Sequence, residues 1–289
     1  MNTGALIEQF LARILRSVSG DGGPPRLAAA MHHAVFPGGA RFRPRLCLAV
    51  AQACGAAESP AAQAAAGAIE LLHCASLVHD DLPCFDDAGT RRGLPSVHRA
   101  HGEPLAVLAG DALIVLAFQT VTLEQRIAAE QRLQLLALLG AATGMPHGIA
   151  AGQAWECEAD VALAAYQRAK TGALFAAATA AGALVGGEDP VRWRIVGEYI
   201  GEAYQVADDI GDVVALPADL GKPAGRDAAL GRPNAVGRLG MGAAQRRLRE
   251  LIEASMASVP ECPGAVELRQ RIFAATQQLF ASRLARPAA

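Results

Sequence analysis

The sequence predicts a single all-α domain covering residues 1–289. Three observations carry this. Ala and Leu dominate while aromatics make up only 4% of the chain, a balance that favours helix over strand. Apolar residues recur with helical spacing between Gly and Pro punctuation. No stretch alternates with the two-residue period of a half-buried strand, and no short repeat appears.

Taken in order, helices are expected near 3–18, 25–35, 44–55, 60–81, 103–121, 124–143, 163–184, 190–215, 233–256 and 264–284. The first, within MNTGALIEQFLARILRSV, is amphipathic and has Glu8 ahead of any basic residue, so it does not read as a signal peptide. Pro44 and Pro104 suit first-turn positions, where the missing amide hydrogen is not needed. GDGGPP at 20–25 and GGEDP at 186–190 read as loops rather than domain linkers.

The chain's 289 residues, 52% of them hydrophobic, suffice for one large core. A net charge of -2 and a pI near 6.4 point to neither nucleic acid nor an anionic membrane as partner. The mean hydropathy of +0.23 is high. The best membrane-span candidate, Pro104–Phe118, is short and carries Asp111, so no span is expected. The apolar excess then belongs to a subunit contact, an apolar ligand cavity, or both. Six cysteines form no CxxC pair, which suits reduced thiols in a cytoplasm.

Two acidic clusters stand out. HDDLPCFDD, residues 79–87, holds Asp80, Asp81, Asp86 and Asp87. Asp80 and Asp86 are six residues apart, about 120° around an ideal helix. They converge only if Leu82 to Phe85 bulges out, and Pro83 favours that bulge. YQVADDIGDVV, residues 204–214, places Asp208 and Asp212 four apart on one face, with Gln205 on that face and Asp209 beside it. Like charges at this spacing weaken a helix by a few tenths of a kcal/mol. Oxygen-only donors without His or Cys select a hard cation, and Mg²⁺ completes its shell with water and substrate phosphates. Either cluster alone is equally consistent with solvated helix ends or a Ca²⁺ site. Together, about 128 positions apart, they point to a diphosphate clamped by Mg²⁺.

A diphosphate also needs protein cations. GGARFRP (38–44), TRRG (90–93), AKTG (169–172) and LGKPAGRD (220–227) each set basic residues beside Gly, where backbone can approach an anion. Lysines are few, and both Lys170 and Lys222 fall in these motifs. His73 lies two turns before Asp80 on the same face.

With GGxRxRP, His before DD, RRG, KTG, a Gln-x-x-Asp-Asp motif and GK in this order, the sequence resembles the trans-isoprenyl diphosphate synthases, the farnesyl and geranylgeranyl diphosphate synthase family. The resemblance covers nearly the whole chain. It implies a large helical bundle with a central active-site cavity and three Mg²⁺ when substrate is bound. Asp80 and Asp86 would ligate two of the ions, with Asp81 supporting; Asp208 would hold the third, with Asp209 and Asp212 supporting. Arg91, Lys170, Thr171, Gln205 and Lys222 would hold the allylic diphosphate. Arg43, His73 and Arg92 would hold isopentenyl diphosphate, and Arg232 falls where the family often has a further Lys. Ala40 departs from the family, whose motif has Lys there. A charge-assisted contact is worth about 1.5–3 kcal/mol, and Arg41 or Arg45 are the candidates to replace it. Glu156, in GQAWECE, stands where Asp is commoner.

The reaction the resemblance implies is ionisation of an allylic diphosphate, attack by isopentenyl diphosphate, and proton loss. It needs no protein nucleophile; leaving-group stabilisation and orientation suffice. The small Ala75 and Ser76 precede Asp80 where the family sets product length, and imply geranylgeranyl diphosphate. Ideal geometry puts Ser76, not Ala75, on the Asp80 face. The residues that stop growth beyond C20 stay unassigned, with Leu105 to Ile114 as candidates. HCASLVHDDLPCFDDA is similar to bacterial synthases that feed carotenoid or bacteriochlorophyll pathways. A farnesyl diphosphate synthase differs only in product length. A terpene cyclase would usually replace DDIGD, and a silent regulatory subunit would have lost one aspartate cluster. A homodimer is expected from the apolar excess and the family.

Overall fold

The computed structural model describes residues 3–20, 22–36, 38–56, 59–159, 163–214 and 235–284. The described residues are helical almost throughout, as the composition predicts. Helices α1 (Thr3–Val18), α2 (Pro25–Val35) and α3 (Phe42–Ala53) lead into α4 (Pro60–Asp80). A short hairpin, β1 (Thr90–Arg91) and β2 (Leu94–Pro95), follows, then α5 (Val97–His101), α6 (Glu103–Thr122), α7 (Ala129–Thr143) and α8 (Ile149–Ala154). The chain continues through a 3₁₀ turn at Trp155–Cys157, α9 (Leu163–Gln167), a π turn at Arg168–Gly172, α10 (Ala173–Val185) and α11 (Pro190–Val214). It ends in α12 (Ala235–Leu239), α13 (Met241–Ala257) and α14 (Ala265–Leu284).

The centre of the bundle is α4. Ser59 caps it by accepting from the amide of Ala61 at 3.2 Å, with Pro60 at the first helical position. Fourteen of its residues are buried, so it is apolar nearly all round, as a core helix must be. It packs against α3, α6 and α10. Close approach to α6 depends on Gly110: a Cβ there would lie 2.0 Å from His79 Nε2.

Four boundaries differ from expectation. Helix α3 begins two residues early, so Pro44 sits at its third position, still within the turn whose amides lack helical partners. The 124–143 helix begins only at Ala129, because Glu124 Oε1 captures the amide of Arg126 at 3.1 Å and its guanidinium at 2.8 Å. The 233–256 helix breaks into α12 and α13 at Gly240, whose φ is +79°. Within 163–184 the π turn interrupts the helix.

The hairpin was not foreseen, since two strands of two residues carry no alternation. Thr90 pairs with Pro95 and Arg91 with Leu94. Arg92 and Gly93 form the loop with φ of +54° and +78°, the pair of left-handed residues that a two-residue type I′ turn demands.

Arg41, the residue before α3, is also left-handed, at φ +50°, and is 4% exposed. Its guanidinium bonds to Glu70 Oε1 at 2.6 Å, Glu8 Oε1 at 2.8 Å and the carbonyl of Val35 at 2.7 Å. Burial opposes its charge, but Glu8 and Glu70 outweigh that and hold its pKa above the ordinary value. Removing one partner of a buried ion pair costs about 3–5 kcal/mol. Glu70→Ala is therefore expected to lower the denaturant midpoint markedly, whereas Glu8→Ala, whose carboxylate is 41% exposed, has a much smaller effect.

Candidate active site

At the end of α4 the chain folds into a compact turn instead of continuing. Leu82 N donates to His79 O at 3.1 Å, Asp86 N to Asp80 O at 2.9 Å and Ala88 N to Asp81 O at 3.1 Å. Asp86 is thereby turned back towards Asp80, as Pro83 predicts. A third carboxylate joins them. Glu156, from the 3₁₀ turn after α8, has an oxygen within 4.8 Å of an oxygen of both aspartates, all three half-buried. Gln153 Nε2 donates to Glu156 Oε2 at 3.1 Å, and the Tyr166 hydroxyl to its Oε1 at 2.7 Å. Three hard oxygen donors so close fit Mg²⁺, whose bonds run about 2.0–2.1 Å. They do not suit a thiolate- or imidazole-seeking ion.

Cations surround this cluster. Lys170 Nζ lies 3.1 Å from Asp80 Oδ1 and also donates to Glu156 Oε1. It comes from the π turn, an element that recurs at functional sites because it re-aims side chains. Gly152 of α8 lets that turn approach closely, for a Cβ there would fall 2.2 Å from the Lys170 amide nitrogen. Arg91, from β1, clasps Asp81 through Nε at 3.0 and 3.2 Å and again through a second nitrogen. Its Nη2 is 3.8 Å from Asp80 Oδ2. Asp81 is 2% exposed and outside the three-carboxylate group, and its carboxylate anchors Arg91. Burial raises the pKa of both aspartates; Lys170 opposes the rise at Asp80, and Arg91 opposes it at Asp81.

The second cluster lies in the last turns of α11. Thr171 Oγ1 donates to Gln205 Oε1 at 2.8 Å, and Gln205 Nε2 donates to Asp209 Oδ1 at 2.9 Å. Asp209, 4% exposed, accepts the Ala235 amide at 2.7 Å. It therefore fastens the start of α12 to α11. Asp208 and Asp212 share the half-buried face of α11 that the i, i+4 spacing predicts. Lys222 and Arg232 lie outside the described residues.

A second cationic group sits on the other side of the hairpin. Arg43 donates Nη1 to His73 Nε2 at 3.3 Å. Its guanidinium carbon lies 4.3 Å from the Phe175 ring centre and 5.7 Å from that of Tyr204. Arg92 packs on the GGAR loop: a Cβ on Gly39 would stand 3.1 Å from Arg92 Nε. The backbone alternation of β1 into its turn thus sends Arg91 to the aspartates and Arg92 to the Arg43–His73 side. Arg41 does not replace the missing Lys at the exposed Ala40, since Glu70 and Glu8 hold it in the core, and Arg45 is exposed on α3. Ala75 is buried at 1% exposure. Ser76 is half-buried, with its hydroxyl donating to His73 O at 2.8 Å.

Burial first, then Arg43, Arg92 and Arg91, hold the His73 pKa well below the usual histidine value. Unfolded His73 takes up a proton below pH about 6.5, and folded His73 does not until much lower pH. Stability is therefore lost as pH falls from about 6.5 towards the folded pKa. His73→Gln is expected to flatten the fall of Tm between pH 7 and 5.

Sequence reasoning missed Tyr166 and Gln153 as the residues that orient Glu156. The signal available was Glu156 itself, an acid three residues after Gln153.

Comparison with known proteins bears on this geometry. Residues 24–268 match the polyprenyl synthetase family. A geranylgeranyl diphosphate synthase of Cereibacter sphaeroides is 48% identical over 96% of this chain and 97% of its own. One of Rhodobacter capsulatus is 46% identical over 98% and 96%. Among solved structures, a Helicobacter pylori geranyltransferase complexed with magnesium and isoprenyl diphosphate superposes with a TM-score of 0.80 at 27% identity, covering 96% of this chain and 98% of that one. Two aspartate motifs, the converging carboxylates and a match over most of the chain agree: this protein belongs to the polyprenyl synthetase family.

Proposed function

We propose that the protein is a prenyltransferase that condenses isopentenyl diphosphate with allylic diphosphates of five, ten and fifteen carbons, giving geranylgeranyl diphosphate and diphosphate. The observation that carries this is the two-sided use of one hairpin. Arg91 stands with Asp80, Asp86, Glu156 and Lys170, while Arg92 stands with Arg43 and His73. Two diphosphates, each needing its own cations, match the two sides. The names of the two bacterial relatives support the C20 product.

The allylic diphosphate belongs to the acidic side, where Mg²⁺ held by these carboxylates would supply charge neutralisation for the leaving group. Asp80, Asp86 and Glu156 would hold two ions, and Asp208 with Asp212 a third. Lys170 and Arg91 add fixed positive charge to the leaving oxygens, with Thr171 and Gln205 braced behind them and Lys222 assigned to the same diphosphate. On the other side, Arg43, His73 and Arg92 hold isopentenyl diphosphate. Arg43 Nε is buried with no hydrogen-bond partner, and Phe175 and Tyr204 hold the guanidinium in place. Arg232 is assigned to diphosphate binding as well.

A homodimer is part of this reading. The outer face of α6 exposes Val107 at 42%, Leu108 at 51% and Val115 at 55%, an apolar stripe that a second copy would cover. By length and composition α4 and α6 could each cross a membrane, but 78% of the apolar window of α4 is buried inside the bundle. For α6, where that share is 39%, we assign the exposed residues to the dimer. The protein would then act in the cytoplasm and supply carotenoid synthesis, without nucleic acid or a membrane span.

The test is a product assay with Mg²⁺, labelled isopentenyl diphosphate and, separately, C5, C10 and C15 allylic diphosphates. C20 is the expected product after dephosphorylation. C15 alone would make the protein a farnesyl diphosphate synthase. No product from folded protein would favour a silent partner subunit, with Ala40 as its main lesion.

A further inference from the structure

On the outer side of the hairpin, His33 leaves α2 and His101 ends α5. His33 Nδ1 lies 3.1 Å from His101 Nε2, with the rings at 80° and their centres 5.1 Å apart. The other nitrogen of His33, Nε2, lies 2.9 Å from the Pro95 carbonyl oxygen. A carbonyl only accepts, so Nε2 carries the hydrogen and Nδ1 presents its lone pair towards His101. Metal-bound imidazoles are held in this way, one nitrogen on the ion and the other donating to a carbonyl. Two nitrogens at about 2.0–2.1 Å from one ion stand about 2.9–3.4 Å apart, from right-angled to tetrahedral geometry. The observed separation falls inside that range. As placed, the contact is a hydrogen bond that His101 Nε2–H donates to His33 Nδ1; for both nitrogens to face an ion His101 moves its hydrogen to Nδ1, with no net proton change.

We infer that His33 and His101 form a two-histidine site for a borderline divalent cation such as Zn²⁺, Ni²⁺ or Cu²⁺, distinct from the carboxylate site. Donor chemistry separates the two: imidazole pairs select these ions, whereas Mg²⁺ requires oxygen. The neighbouring His98 turns elsewhere, with Nδ1 3.1 Å from Ser96 Oγ; its Nε2 is buried without a hydrogen bond among the described residues, 3.6 Å from Asp87 Oδ1. Water completes the shell on the solvent side. An ion here clasps α2 to α5 across β2 and so braces the hairpin that carries Arg91 and Arg92.

The experiment is calorimetric titration of the full chain with Zn²⁺ in saturating Mg²⁺, paired with electron paramagnetic resonance of one equivalent of Cu²⁺. One ion per chain is expected, with hyperfine splitting from two nitrogens. His33→Ala and His101→Ala should each weaken binding at least about tenfold, the smaller effect expected for a lost metal-site group, while Asp80→Asn leaves it unchanged. Should His33→Ala unfold for want of its Pro95 bond, His101→Gln, with its helical circular dichroism checked, makes the same measurement. Absence of Zn²⁺ binding, equal affinity in the histidine variants, or loss in Asp80→Asn would each overturn the site.

Discussion

Asp80→Asn is expected to lower kcat about 10³-fold, raise the Mg²⁺ needed for half-maximal rate, and leave the KM for isopentenyl diphosphate nearly unchanged. The carboxylate is shared by three partners: Lys170 at 3.1 Å, Arg91 at 3.8 Å, and the group formed with Asp86 and Glu156. Asparagine keeps its size and removes its charge. Loss of one preorganised electrostatic contact typically costs about 10²–10³ in kcat, and with Asp80 as a proposed Mg²⁺ ligand its loss adds to that. The stability effect runs the other way. Burial raises the Asp80 pKa despite Lys170, so ionised Asp80 weakens the fold as pH rises through that pKa. The neutral variant should melt no lower than the parent at pH 7. Initial rates across a Mg²⁺ titration, alongside a melting curve, check both halves. A raised KM for isopentenyl diphosphate with normal kcat would move Asp80 to the other substrate.

Most of the helical framework was legible in the sequence because the signal is local: apolar periodicity interrupted by Gly and Pro. The Asp80–Asp86 convergence was legible too, since Pro83 disfavours the helix that would separate them and favours the bulge. What escaped was set by contacts between distant segments. Nothing local says that Arg41 turns into the core towards Glu70 and Glu8, which removes it as a stand-in for the lysine absent at Ala40. Nothing local says that Asp81 faces Arg91 across a hairpin of two-residue strands, or that Asp209 bonds the Ala235 amide 26 residues on. The π turn at Lys170 has no propensity signature of its own, and a plain helix over 163–184 was the natural reading. Glu156 was visible as an acid in GQAWECE, but its place beside Asp80 depends on α8 packing against that π turn.

Ala75→Phe is expected to move the main product from C20 to C15. The position lies five residues, about 7–8 Å, before Asp80 along α4, where the family resemblance places control of product length, so the proposed channel for the growing tail runs beside it. A phenyl ring added there must occupy either the tail's channel or the protein core. Ala75 is 1% exposed, so the two possibilities leave different traces. In the channel, the ring displaces only the last isoprene unit: product shortens, and Tm stays within a degree or two. In the core, overpacking costs about 1–3 kcal/mol, Tm falls by several degrees and C20 persists. Ser76→Phe separates the two further. Ser76 is half-buried on the Asp80 face, and its hydroxyl bonds to the His73 carbonyl within its own helix, so a ring there meets less core. Chain-length analysis of both variants with a C5 starter, beside their melting curves, decides the matter. C20 from a destabilised Ala75→Phe, together with C15 from a stable Ser76→Phe, would transfer the length-setting role to Ser76.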